Sequence, residues 1–185
     1  VPSNAEIERT LRDAAESVAL LVGELSRPVV VIDGRSGAGK STLAAIVARL
    51  LEAEVLGLDS VYPGWDGLRA GADAVIEGVL EPRSLGRAGR WVRWDWLRGE
   101  AAEPHDVDPH SPLIVEGSGI LTPRSAALAD VSVWIDSPPR SRKQRALDRD
   151  GDTYRPHWNR WAAQEEAHLA AHRPDQLATV TVRVP

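Results

Sequence analysis

Val29-Val30-Val31-Ile32-Asp33-Gly34-Arg35-Ser36-Gly37-Ala38-Gly39-Lys40-Ser41-Thr42 is the stretch on which the fold turns. Four apolar β-branched residues, Val29 to Ile32, read as a strand buried on both faces. Gly34 to Ser41 then fits G-x-x-x-x-G-K-[ST] without a mismatch. Leu43, Ala44, Ile46, Val47, Leu50 and Leu51 follow at helical spacing. Strand, glycine-rich loop and helix come in the order a phosphate-binding loop requires. Its glycines let successive N–H groups converge on phosphate oxygens, and the helix N-terminus adds a favourable field. The expected phosphate contacts are Gly34, Ser36, Gly37, Ala38, Gly39, Lys40, Ser41 and Thr42. Lys40 reaches β and γ phosphates, and the Ser41 hydroxyl holds Mg²⁺. The glycines read G-x-x-G-x-G, which argues against a dinucleotide fingerprint.

At 185 residues the chain reads as one domain, 1–185, long enough for a substantial core. A hydrophobic content of 43% and a charged content of 26% are ordinary for a globular protein. The net charge of −5 argues against a nucleic-acid polymer as partner, while leaving room for a local phosphate pocket. With no Cys there are no disulfides or thiolate metal sites, which fits a reducing, cytoplasmic setting. No apolar run approaches the ~20 residues that span a bilayer, and no signal-peptide pattern is seen, so no membrane partner is expected.

Upstream of the loop, Ser3 and Glu6 form a capping-box pattern. Ile7, Leu11, Ala14, Val18, Leu21 and Leu25 then recur three and four apart, as on an amphipathic helix. It packs on the domain or, as the alternative, dimerises; a monomer or homodimer is expected.

Downstream, Val55 to Leu58 reads as a second strand ending at Asp59. In open parallel sheets ligands bind beyond the carboxyl ends of strands, so Asp59 is placed to face the loop and act as a general base. A cap for the next turn is the competing role. Tyr62 and Trp65 lie in a Pro-Gly turn, either stacking on a planar substrate or anchoring the loop. Leu68 to Leu80 reads as a helix, and Glu81 to Arg90 as a basic loop. Trp91 to Trp96 alternates, with Arg93, Trp94 and Asp95 as candidate substrate contacts or as parts of a covering hairpin. Gly99 to Pro112, broken by three prolines, reads as a loop with solvated His105 and His110.

Leu113 to Gly117 is a third strand carrying Glu116, the candidate for the Mg²⁺ shell; hydrogen bonding to loop amides is its alternative. Pro123 to Leu128 reads as a short helix and Val131 to Ile135 as a fourth core strand. After Asp136 comes a basic helix with Arg140, Arg142, Lys143, Arg145 and Arg149, then the Gly/Pro segment 150–156 and a second helix, His157 to His172. About 140–172 reads as a helical lid, with Arg145 and Arg149 one turn apart on one face and able to reach one site. His168 and His172 are read as exposed. Leu177 to Val182 closes the sheet.

Several of these elements together resemble the uridine kinase-like branch of phosphate-loop nucleoside and nucleotide kinases. Asp33 to Thr42 resembles its first motif, and Leu58 to Tyr62 its D-D-F-Y element, with Ser60 in place of the second acid. Arg93 to Trp96 resembles its Y-D-[FW] substrate element, Ile114 to Gly117 its strand-plus-acid motif, and Arg145 to Asp150 the lid's R-x-x-x-R-D. Residues 62–68, 93–96 and 151–158 are also similar to short actinobacterial proteins of this type.

The resemblance implies a three-layer α/β/α phosphate-loop NTPase fold, with a mostly parallel five-stranded sheet and a helical lid. It also implies a kinase using ATP and Mg²⁺ to phosphorylate a hydroxyl of a nucleoside-like small molecule. Lys40, Asp59, Arg145 and Arg149 are its expected catalytic residues, and Ser41 and Glu116 its metal holders. Asp59, Tyr62, Trp65, Arg93, Trp94, Asp95 and Glu116 are expected on the substrate. Two alternatives stand beside it. One is a nucleoside monophosphate or sugar-acid kinase using the basic 83–93 stretch; the other is a nucleotide-binding regulator without transfer. A GTPase switch lacks its N-K-x-D element.

Overall fold

A computed structural model of the chain describes residues 3–185. Five parallel strands form the central sheet, in the order β2 (Glu54–Gly57), β5 (Leu113–Glu116), β1 (Val29–Gly34), β6 (Val131–Asp136) and β7 (Val180–Arg183). β1 is central because Val29 to Ile32 are apolar on both faces; it pairs with β5 on one side and β6 on the other. A sheet buried on both faces must be covered by helices on both.

On one face, Val30 and Ile32 meet α1 (Asn4–Val22) and α2 (Lys40–Leu51) through Leu11, Ala15, Val18, Leu43 and Val47. On the other, Val29 and Val31 meet Val75, Val79, Ile120 and Trp161. These belong to a continuous helical run from Leu68 to Ser84, the 117–122 loop and α7 (Trp158–His172). The run comprises α3 (Leu68–Val75), a π-helical turn (Ile76–Leu80) and α4 (Glu81–Ser84). α5 is Pro123–Leu128, α6 is Pro139–Tyr154 and α8 is Pro174–Leu177. The expected three-layer α/β/α architecture is the observed one.

Several local expectations are corrected. The capping box at Ser3 and Glu6 is formed, but α1 ends at Val22, where Gly23 takes a left-handed φ of 57°. Leu21, inside α1, and Leu25, beyond its end, are exposed, and Val22 is buried instead. Glu81 to Ser84 extends the preceding helix rather than opening a loop. The expected 99–112 loop contains a strand, β4 (Glu100–Val107), antiparallel to β3 (Gly89–Asp95). Pro104 is tolerated because this two-stranded hairpin is all edge. The 150–156 segment is no open loop: α6 runs to Tyr154 through a kink at Gly151, followed by a 3₁₀ turn at Arg155–His157. The last strand starts at Val180, after α8.

Candidate functional site

The phosphate loop joins β1 to α2 beyond the carboxyl end of the sheet. Gly37 and Gly39 have φ of 77° and 110°, which an L side chain rarely adopts. The first i→i−4 bond of α2 runs from the Leu43 N–H to the Gly39 carbonyl, 3.0 Å. The preceding first-turn N–H groups, at Lys40, Ser41 and Thr42, are those a helix leaves for a ligand. Four loop carbonyls are engaged, that of Arg35 also by Lys40 Nζ at 3.4 Å. Gly34 O accepts from Ser118 Oγ (3.0 Å) and Arg35 O from the Ala38 N–H (3.0 Å). Ser36 O accepts from Arg142 Nη1 (3.3 Å) and Gly37 O from Arg145 Nε (2.9 Å).

One cavity of about 690 Å³ opens over this loop. Gly37, Gly39, Lys40, Ser41 and Thr42 line its floor, with Glu116 and Ser118 beside them. Lys40 Nζ donates to Ser118 Oγ at 3.2 Å. Ser41 Oγ donates to Glu116 Oε1 at 3.0 Å, so the two expected metal holders meet. A hydroxyl and a carboxylate are hard oxygen donors of the kind Mg²⁺ takes alongside substrate phosphates. No group of three or more His, Asp or Glu that could hold a metal occurs among the described residues. Burial pushes the Glu116 carboxyl above its ordinary range; Lys40 pulls it back, and the Asp59 charge raises it further.

Asp59 lines the same cavity, in a 3₁₀ turn (Leu58–Ser60) at the end of β2. Aromatic side chains also line it: Tyr62, Trp65, Trp96, Tyr154 and Trp161. Tyr62 is fully buried, its hydroxyl donating to Ser118 O at 2.8 Å and its ring edge-on to Trp161. Trp65 stacks on His157 at 4.3 Å and Tyr154 at 5.4 Å, and tilts against Trp96 at 4.9 Å. Trp96 arrives from the hairpin tip and donates from Nε1 to Asp59 O at 2.7 Å.

Other candidates lie elsewhere. Arg93 is spent on Glu103, at 2.6 Å from Nε. Asp95 accepts the Leu97 and Arg98 N–H groups, both at 3.0 Å, and so closes the hairpin turn. Neither they nor Trp94 line the cavity; the residue of this motif that does is Trp96. Arg145 braces the loop from outside, binding Gly37 O and Ser137 Oγ, while Arg149 lines the cavity with Nε and Nη2 on Asp150. All polar groups of Ser36 are taken: N–H by Glu165, carbonyl by Arg142 and hydroxyl by Tyr154. The Ala38 N–H is used within the loop.

Sequence reasoning missed two buried residues of α7. Glu165, 2% exposed, accepts from the Ser36 N–H (2.7 Å) and Arg35 Nε (3.0 Å). His168, expected exposed, is buried with Nε2 3.0 Å from Asp33 Oδ2. Asp33 also accepts from the N–H groups of Gly34, Gly119 and Leu121. Polar residues on a helix look solvated until the partner 130 residues away is known. The stretch 83–93 does not gather a basic patch either. Arg83 is buried at the far end of the sheet on the carbonyls of Arg27, Asp108 and Ser111, beside a separate cavity of about 300 Å³.

No protein-family model matches the chain. Among solved structures, a candidate uridine kinase from Bacillus stearothermophilus superposes with a TM-score of 0.69 at 17% identity, covering 96% of this chain and 99% of that one. A candidate fructose transport system kinase from Silicibacter sp. TM1040 gives a TM-score of 0.63 at 25% identity, covering 92% and 98%. The fold is that of the phosphate-loop kinases. A curated relative, the tRNA dimethylallyltransferase of Rhodospirillum centenum (strain ATCC 51521 / SW), is 33% identical over 165 residues. That match covers 83% of this chain and 48% of the relative, so the chain spans about half that protein's length. Within the phosphate-loop kinase fold, the loop, Glu116 and Asp59 all sit at the carboxyl ends of β1, β5 and β2. No described helix is long and apolar enough to cross a membrane.

Proposed function

We propose that the chain is an ATP-dependent kinase that transfers the γ-phosphate of MgATP to a hydroxyl of a nucleoside-like small molecule. The observation that carries this reading is a single cavity shared by the Lys40–Ser41–Glu116 cluster, Asp59 and an aromatic wall. First-turn N–H groups of α2 and Lys40 hold the phosphates and neutralise their charge. Ser41 and Glu116 would hold Mg²⁺, which would supply neutralisation of the phosphate charge. Asp59 accepts the proton of the acceptor hydroxyl as its oxygen bonds to the γ phosphorus. The bond to the β–γ bridging oxygen breaks, and ADP leaves. Arg149 faces the transferring group, steadied by Asp150. Trp65 and Trp96 receive the acceptor ring.

A nucleoside-like acceptor is favoured over an anionic one. Arg83 and Arg93 are committed to carbonyls and to Glu103, and Arg149 is the arginine lining the cavity. The curated relative supports a second reading, dimethylallyl transfer, because it is 33% identical over 165 residues, 83% of this chain. The two part on one product: phosphoryl transfer forms ADP and dimethylallyl transfer does not. ADP release measured over nucleosides, nucleotides and sugars is expected to rise with a neutral ring alcohol. Asp59→Asn is expected to lower that rate at least ~100-fold, a general-base loss, with MgADP affinity retained. Full activity in Asp59→Asn removes the base assignment, and ADP release that no acceptor stimulates removes the kinase reading.

A further inference from the structure

The Ser36 peptide is held from outside by the chain segment that follows β6. Three of its polar groups each meet a different side chain of that segment. Tyr154 Oη donates to Ser36 Oγ at 2.8 Å, Arg142 Nη1 donates to Ser36 O at 3.3 Å, and Glu165 Oε1 accepts the Ser36 N–H at 2.7 Å. Arg145 takes the next carbonyl, that of Gly37. Glu165 is the deepest of the four, at 2% exposed. Its second oxygen pairs with Arg35 Nε at 3.0 Å, and Oε1 also lies 3.3 Å from Ser118 Oγ, the hydroxyl that Lys40 meets.

This arrangement answers an electrostatic requirement. A seat for phosphate works when N–H groups face it and carbonyls face away, since an inward carbonyl repels the anion. A glycine-rich loop does not choose that orientation by itself, because glycine permits both peptide directions. Side chains fixed outside the loop have to impose it. An anionic side chain beside an anion seat would itself oppose binding, and the Arg35 guanidinium offsets that charge. The same helix is anchored one turn further on by His168 at Asp33, so Glu165 is presented from a fixed base.

We propose that Glu165 is a positioning residue for the phosphate seat, anchoring the Arg35–Ser36 peptide from α7 through the Ser36 N–H while Arg142 holds the Ser36 carbonyl outside. This rests on the reading that the loop holds nucleotide phosphates. What Glu165 supplies is an acceptor oxygen of the right reach, more than a charge.

Calorimetric titration of MgADP into the full chain tests it, with melting temperatures recorded alongside. Glu165→Gln keeps the reach and an acceptor oxygen, and its Kd is expected within threefold of the parent. Glu165→Ala loses the oxygen, and Glu165→Asp keeps the charge but falls one methylene short; both are expected to bind at least tenfold more weakly. Glu166→Ala removes an exposed carboxylate that meets only Arg35, and is expected to bind as the parent does. A folded Ala or Asp variant binding within threefold of the parent overturns the proposal, as does a Gln variant as weak as Asp. Should the Ala variant fail to fold, the Asp and Gln pair decides. A parent chain that binds no MgADP overturns the phosphate-seat reading itself, which separates that failure from this one.

Discussion

Glu116 brings a pH dependence to the site. It is 7% exposed, and burial raises its carboxyl pKa above the unfolded value, with Lys40 opposing and Asp59 reinforcing. A carboxyl whose folded pKa is raised favours the native state most when protonated. Its contribution is present below the unfolded pKa and is lost as pH rises through the folded one. Glu116→Gln is therefore expected to raise the melting temperature at pH 7, by about 2–4 °C per kcal/mol relieved, and to change it little at pH 4. The same variant is expected to lose Mg²⁺-dependent nucleotide binding, a trade of function for stability. Equal melting shifts at both pH values would contradict this. Lys40, Ser41 and Glu116 were legible in the sequence because a contiguous motif and a strand-ending acid announce them. Glu165 and Arg142 were not, because their partners lie more than 100 residues away.

At the scale of elements, the loop and α6 fit one another closely. A Cβ added at Gly37 would stand 2.0 Å from the Arg142 carbonyl oxygen, and the residue's φ is 77°. Gly37→Ala is expected to push α6 off the loop, with MgADP binding lost and the melting temperature lowered; unchanged MgADP affinity measured by calorimetry would contradict that. The β3–β4 hairpin was half legible. The alternation from Trp91 to Trp96 suggested a strand, but three prolines between 99 and 112 hid its partner. Only the pairing of Asp95 with Glu100 shows that the turn presents Trp96, rather than Arg93 or Asp95, to the cavity. α6 and α7 were legible as helices, while their docking onto the loop was not. Arginine-rich helical faces look the same whether they meet water or backbone carbonyls.

Across the whole molecule, Asp33 joins three parts: the end of β1, the 117–122 loop through Gly119 and Leu121, and α7 through His168. It is 1% exposed, so removing it strands several buried donors. Asp33→Ala is expected to cost about 3–5 kcal/mol, seen as a lower urea midpoint at an unchanged slope. A midpoint like the parent's would mean that the three parts are held by apolar packing alone. The layered fold itself was readable, since apolar runs of four to six residues alternated with helical patterns. Strand order was not readable, because parallel neighbours are set by crossovers rather than by local composition.

The most direct test of the central claim is a crystal structure of the chain with Mg²⁺ and a non-hydrolysable ATP analogue. The expected result places the β and γ phosphates on the first-turn N–H groups of α2 and on Lys40, with the ion between Ser41 and Glu116 and Asp59 facing the γ phosphate. Phosphates bound away from residues 37–42, or Asp59 turned from them into solvent, would contradict it.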